Sequence, residues 1–161
     1  MERARGSEIR EDIAEALDVG AALLTRHLAR GTSLTARAVL ATLDEEGPTR
    51  LTALASATGA SQPATTQLVG RLERDGLLDR LVDPDDARAT LVAITDVGRA
   101  LRSELRQSQH ERLGELLDVL SVHDQVTLSL AMRAALPLLR QLTRHAAENP
   151  QPQQAPASLT T

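Results

Sequence analysis

The segment from Leu54 to Ile94, LASATGASQPATTQLVGRLERDGLLDRLVDPDDARATLVAI, constrains the fold more than any other part of this chain. A short apolar run, Ala53–Thr58, is predicted as a helix capped by Thr52. Gly59 then offers the positive φ of a tight turn, where a Cβ would clash. Ser61 can cap a second helix over Gln62–Asp75, with Pro63 in the first turn, where a missing N–H costs little. Leu68, Val69 and Leu72 fall on one face, and Gly76 stops the helix. Leu77–Val82 and Ala89–Ile94 read as two strands around the charged tip Asp83-Pro84-Asp85-Asp86-Ala87-Arg88.

Helix, tight turn, helix and hairpin in that order make a winged helix-turn-helix. Helical segments flank it. The first is expected over about Ser7–Ala29, capped by Ser7, with Ile9, Ile13, Leu17, Gly20, Leu24 and Leu28 in one stripe and Gly31 after its end. A second covers about Leu34–Asp44, capped by Ser33 or Thr35, with Val39, Leu40 and Leu43 turned inward. Thr49–Leu51 reads as a short strand. Thr95 should cap a long helix over about Asp96–Leu120, striped by Leu101, Leu105, Leu113, Leu116, Leu117 and Leu120. Ser121 and Asp124 open a last helix to about His145, which Pro137 should kink. The fold class is therefore mainly α with a small β wing. The expected organisation is one domain over 7–145: a reading part at 33–95, and helices at 7–31 and 96–145 left with apolar stripes to cover. Residues 146–161, with no periodicity and several Pro and Gln, read as a disordered tail.

Composition narrows the chemistry. The chain has no Phe, Tyr or Trp, so its core must be aliphatic and it has no ring on which a base can stack. It has no Cys, which excludes disulfides, thiolate metal sites and a cysteine redox sensor. Its charged N-terminus lacks the apolar run of a signal peptide, and no stretch approaches ~18 apolar residues. A soluble cytoplasmic protein is expected. His27, His110, His123 and His145 are scattered, without the i, i+4 spacing of a helical metal site. We find no nucleophile–base pair and no phosphate-cradling Gly loop, so neither an enzyme nor a cofactor is expected.

The helix-turn-helix does point to a chemistry. Its second helix must place a capped N-terminus near phosphate and present polar side chains to base edges. Ser61 supplies the cap; Gln62, Thr66 and Gln67 are candidates for base contact, because an amide pairs bidentately with adenine and a Thr methyl packs on the thymine methyl. Arg71 and Arg74 are placed for the phosphate backbone, and Arg88 at the wing tip for the adjacent minor groove. Charge argues the other way. The net charge is −4, every one of the 18 cationic residues is Arg, and Ser61–Ile94 holds four Arg against six Asp and Glu, a balance of −2. A duplex reader of this kind must rely on a few placed arginines.

From Ser7 to His145 the chain resembles the multiple-antibiotic-resistance regulator (MarR) family of winged-helix proteins. The resemblance is most specific in GASQPATTQLVGRLERDGLLDRLVDPDDARATLVAITDVGRAL. Asp86-Ala87-Arg88 matches the family's Asp-x-Arg wing, with Ala87 where a basic residue is frequent, which implies one phosphate contact fewer. Thr95-Asp96-Val97-Gly98 resembles the Leu-Thr-x-x-Gly start of the family's long helix, with Ile94 for the Leu, and Arg80 matches a basic position before the wing. The resemblance implies a homodimer joined by its first and last helices, two recognition helices on a pseudo-palindromic operator of double-stranded DNA, and release by a small, often phenolic, anion. It implies that Asp86 braces the wing. Without aromatic walls, such an effector would need an arginine, for which Arg10, Arg26 and Arg37 are candidates. The alternative is a winged-helix protein-interaction module that does not bind DNA.

Overall fold

The computed structural model describes residues 2–29, 31–86 and 88–149. Helix α1 spans Glu2–Leu23 and runs on into a π-helical turn, Leu24–Leu28. Helix α2 spans Leu34–Glu46, strand β1 Thr49–Arg50, helix α3 Leu51–Thr58 and helix α4 Gln62–Arg74. Strands β2, Leu78–Val82, and β3, Thr90–Ile94, form the wing, followed by helices α5, Asp96–Leu117, and α6, Val122–Glu148.

Local side-chain chemistry sets most of these boundaries. Ser33, Ser61, Thr95 and Ser121 each sit in extended backbone and accept the N–H three residues on, from Ala36, Ala64, Gly98 and Asp124. Each such cap stabilises its helix by about 1 kcal/mol. Gly59 closes α3 in the left-handed region at φ 64°, as the turn requires.

Four boundaries differ from expectation. Ser7 does not cap α1, which already runs from Glu2; instead its hydroxyl bonds the Glu11 carboxylate one turn on. Thr52 does not cap α3, because the chain turns directly from β1 into the helix at Leu51 with Arg50 at the cap position. Helix α5 stops at Leu117, where Gln125 of α6 donates to the Leu117 and Leu120 carbonyls. Helix α6 passes through Pro137 and continues to Glu148, so residues 146–148 are helical. The remainder of the expected tail, residues 150–161, lies outside the described residues, as does Ala87.

The three strands are antiparallel in the order β1-β3-β2, with Arg50 opposite Leu91 and Leu91 opposite Leu81. Against them pack α2, α3 and α4 in one aliphatic core: Ala36, Val39, Leu40, Leu43, Leu54, Leu68, Val69, Leu72, Leu77, Leu78, Val92 and Ile94. Each fully buried Leu or Val adds about 1.5–3 kcal/mol, so this half holds itself together without aromatics. The long helices are different. Among the described residues α6 buries none, and Ile9, Ile13 and Leu17 of α1 are 53%, 49% and 47% exposed.

Helix α5 is riveted to the winged half at its start. The Thr95 hydroxyl accepts from Gly98 N and donates to the Gly76 carbonyl, and Thr95 N donates to the Leu77 carbonyl at 3.1 Å. Gly98 is buried against that same Leu77 carbonyl. One turn on, Arg102 pairs with Asp44 and Glu45 at the end of α2.

Candidate nucleic-acid interface

Helix α4 divides its residues between two faces. Thr65, Leu68, Val69 and Leu72 are buried, while Ser61, Gln62, Thr66, Gln67, Arg71 and Arg74 are exposed. Five of the residues expected to meet DNA therefore lie on one solvent-facing surface behind the Ser61 cap. Part of it is concave: an open groove of about 630 Å³ is lined by Ala64, Thr66, Gln67, Leu68, Gly70, Arg71 and Arg74.

The chemistry on offer differs along this face. The Thr66 hydroxyl donates to the Gln62 carbonyl at 2.8 Å, so what Thr66 presents outward is chiefly its methyl. Arg74 Nε donates to the Gly70 carbonyl, which steadies the guanidinium of an exposed side chain. Arg71 and Arg88 make no side-chain hydrogen bond or ion pair among the described residues, and Arg88 is exposed on the wing. Arg80 is differently placed: its Nε bonds Glu73 of α4 at 2.9 Å, tying β2 to α4.

The wing is built on carboxylates rather than on its sequence charge. Asp86 Oδ1 accepts the backbone N–H of Arg88 at 3.0 Å, and Ala89 N donates to the Asp86 carbonyl. Asp83, almost wholly buried, closes the base. Its backbone N–H donates to Ala89, its Oδ1 accepts Asp85 N, and its Oδ2 accepts both Arg50 Nε at 2.8 Å and Arg50 Nη2 at 2.6 Å. The Asp85 N–H and then the Arg50 guanidinium hold the Asp83 carboxyl below its ordinary range, and the same bond raises Arg50.

Arg50 was not readable as part of this site. It lies 33 residues from Asp83 and meets it only through the sheet. It also changes the charge balance: four arginines plus Arg50 against six carboxylates gives −1, and two of those carboxylates, Glu73 and Asp83, are held by Arg80 and Arg50.

A second concavity, of about 230 Å³, lies between α2 and α5 and is lined by Arg37, Leu40, Ala41, Glu45, Arg102, Leu105, Arg106 and Gln109. Of the three arginines expected at an effector site, Arg37 lines it, its Nη1 bonded to Gln109 Oε1; Arg10 on α1 and Arg26 in the π turn do not. Arg102 and Arg106 had no signal in sequence beyond lying on the same helix face. Among the described residues no three His, Asp or Glu side chains converge as a metal would require, and no helix is long and apolar enough to cross a membrane.

The MarR family profile matches residues 33–90, from the cap of α2 to the first residue of β3. A probable transcriptional regulator from Pseudomonas aeruginosa, of known crystal structure, is 31% identical over 81% of this chain and 96% of its own, with a TM-score of 0.57. The chain belongs to the MarR family. Its fold is the winged helix of MarR-type regulators, mainly α with a three-stranded antiparallel sheet. The PcaV transcriptional regulator from Streptomyces coelicolor, solved in complex with its natural ligand, is 27% identical over 76% of this chain and 89% of its own, with a TM-score of 0.54. The transcriptional repressor IacR of Pseudomonas putida is 30% identical over 106 residues. The chain spans only 54–62% of the length of the curated relatives it matches.

Proposed function

We propose that this chain is the subunit of a homodimeric, sequence-specific reader of double-stranded DNA that represses transcription in the cytoplasm and releases its operator when a small anion binds. The observation that carries this reading is the split of α4. A rigid core face fixes the helix, and the opposite face carries two amides, a methyl and two arginines within about three turns. Gln62, Thr66 and Gln67 read base edges, with Arg71 and Arg74 on phosphate. Arg88 enters the minor groove beside it, and Asp86 shapes the loop that presents Arg88. Arg80, bonded to Glu73, contributes by fixing the wing to α4.

Dimerisation follows from the apolar side chains that α1 and α6 leave in water. A protein with this many exposed Ile, Leu and Val on two long helices lowers its free energy by pairing them with a second copy. The release reading rests on the α2–α5 cleft, where Arg37 and Arg106 supply cations over Leu40, Ala41 and Leu105 while Arg102 is held by Asp44 and Glu45; a natural ligand is bound by the related PcaV.

Selection of bound duplexes from a random-sequence pool tests this. The expected product is an inverted repeat with half-sites about one helical turn apart. Recovery of no common sequence would overturn the reading.

A further inference from the structure

Arg50 and Asp83 sit at opposite edges of the three-stranded sheet. Arg50 lies on β1, and Asp83 is the first residue after β2, with β3 between them. Neighbouring strands are about 4.8 Å apart, so the Arg50 guanidinium crosses the whole width of the middle strand to reach its partner. It does so with two N–H groups on one oxygen, at 2.8 and 2.6 Å. The Asp83 side chain is 6% exposed, and its other oxygen holds Asp85 N, the first turn of the wing loop. At the base of the loop Asp83 makes three of the bonds that fix how it leaves the sheet, to Ala89, Asp85 and Arg50, while Asp86 orders the tip, and Arg50 is the side chain that holds Asp83 down.

We infer that Arg50 is a positioning residue for the wing, setting the reach and angle of Arg88 relative to α4. This rests on the DNA-reading function proposed above. Arg50 is suited to the task because it also stands at the N-cap of α3, the bracing helix of the helix-turn-helix. The clamp thus references the wing to the same element that braces the recognition helix. In a hairpin of two five-residue strands, Arg80–Glu73 ties β2 to α4 and Asp86 orders the tip, and the Arg50–Asp83 clamp fixes the base from which the tip departs. The guanidinium geometry matters: a lysine carries the charge but a single point donor, and would hold the carboxylate without fixing its direction.

Arg50 is also half exposed, so it could act on phosphate itself, and the test must separate the two roles. The experiment compares wild type, Arg50→Gln, Arg50→Lys, Arg88→Ala and the Arg50→Gln/Arg88→Ala double variant in full-length protein. The first readout is amide exchange in the free protein. Arg50→Gln should speed exchange at Asp85, Arg88 and Ala89 while Val69 and Leu72 in α4 keep their protection. Unchanged exchange in the wing overturns the inference, whatever DNA does.

The second readout is the salt dependence of duplex binding. Arg50→Gln should shallow the log–log slope by about one per protomer, as Arg88→Ala does, and the double variant should lose no more than Arg88→Ala alone. Arg50→Lys should recover part of the loss. Additive losses would make Arg50 a phosphate contact and overturn the positioning role. Should the wild-type protein show no sequence preference, the DNA-reading function falls and the positioning role with it, while wing exchange still shows whether the clamp is a structural brace.

Discussion

Replacing Gly98 by alanine should destabilise this protein, although the position is helical and alanine is the better helix former. A methyl at Gly98 would overlap the Leu77 carbonyl oxygen and stand 2.8 Å from Ile94 Cγ1, against an ordinary carbon–carbon contact of about 3.5–4.0 Å. The Ile94 side must therefore give by about 0.7 Å or more, and the backbone at Leu77 must give as well. Ile94 is a buried core residue and cannot yield freely. Overpacking of this kind costs about 1–3 kcal/mol. Moving the Leu77 carbonyl also loosens the hydrogen bond it accepts from Thr95 N, worth about 1 kcal/mol net. Against these stands a gain of about 1 kcal/mol from removing a helical glycine. The sum is a net loss of about 1–3 kcal/mol, read as a lower urea midpoint with an unchanged slope. Gly70→Ala provides the control. A methyl there meets nothing within 4 Å in the middle of α4, so the same substitution should raise stability by about 0.5–1 kcal/mol. A Gly98→Ala protein as stable as wild type would refute the reasoning, and with it the view that α5 is locked to the wing at this contact.

Arg71→Ala should weaken binding to all duplexes alike and shallow the log–log salt slope by about one per protomer, whereas Gln67→Ala should cost about 1–3 kcal/mol on the selected site and leave a scrambled duplex unaffected; competition anisotropy separates them. Because the folded-state pKa of Asp83 is depressed, its contribution is fully present above the ordinary value of 3.8 and is lost only as pH falls through the lower folded value. The stability gap between wild type and Asp83→Asn should accordingly stay constant from pH 8 to about 5 and narrow only below about 4; narrowing near neutrality would show that another group carries the effect. A chain ending at Leu120 lacks α6 and should sediment as a monomer at concentrations where the full chain is a dimer, and a native-like dimer would remove α6 from the seam.

What could be read from sequence here is what is local. Ser33, Ser61, Thr95 and Ser121 act within three residues of themselves, so each cap is legible in the chain, as is the Gly59 turn. The two faces of α4 follow from 3.6-residue periodicity alone. Asp86 bonds Arg88 two residues away, and an Asp in a loop ordinarily does this. The misreadings come from context. Ser7 looks like a cap, but Glu2, Arg3, Ala4 and Arg5 are good helix formers and the helix runs from them through Gly6. Thr52 was displaced because pairing of Thr49 and Arg50 with β3 leaves no residue between strand and helix. The tail read from Ala146 onward starts too early, because α6 carries on through Ala146 and Ala147 to Glu148. The tertiary partners were out of reach altogether: Arg50 with Asp83, Arg80 with Glu73, and Arg102 with Asp44 and Glu45 join segments whose proximity only the fold creates. Of these pairs only Arg50–Asp83 alters the charge balance of the reading half, from −2 to −1, because Arg80 and Glu73 both lie inside it. Two of its carboxylates are occupied by arginines, one of which lies outside the segment.

The central claim is that α4 and the wing read duplex sequence. Fluorescence anisotropy on DNA from immediately upstream of this protein's own gene, with a scrambled duplex as competitor at two salt concentrations, tests it most directly. The account predicts binding that survives the scrambled competitor and weakens steeply with salt, by about 0.9 in log–log slope for each phosphate engaged. Equal displacement by the scrambled duplex at both salts would contradict it.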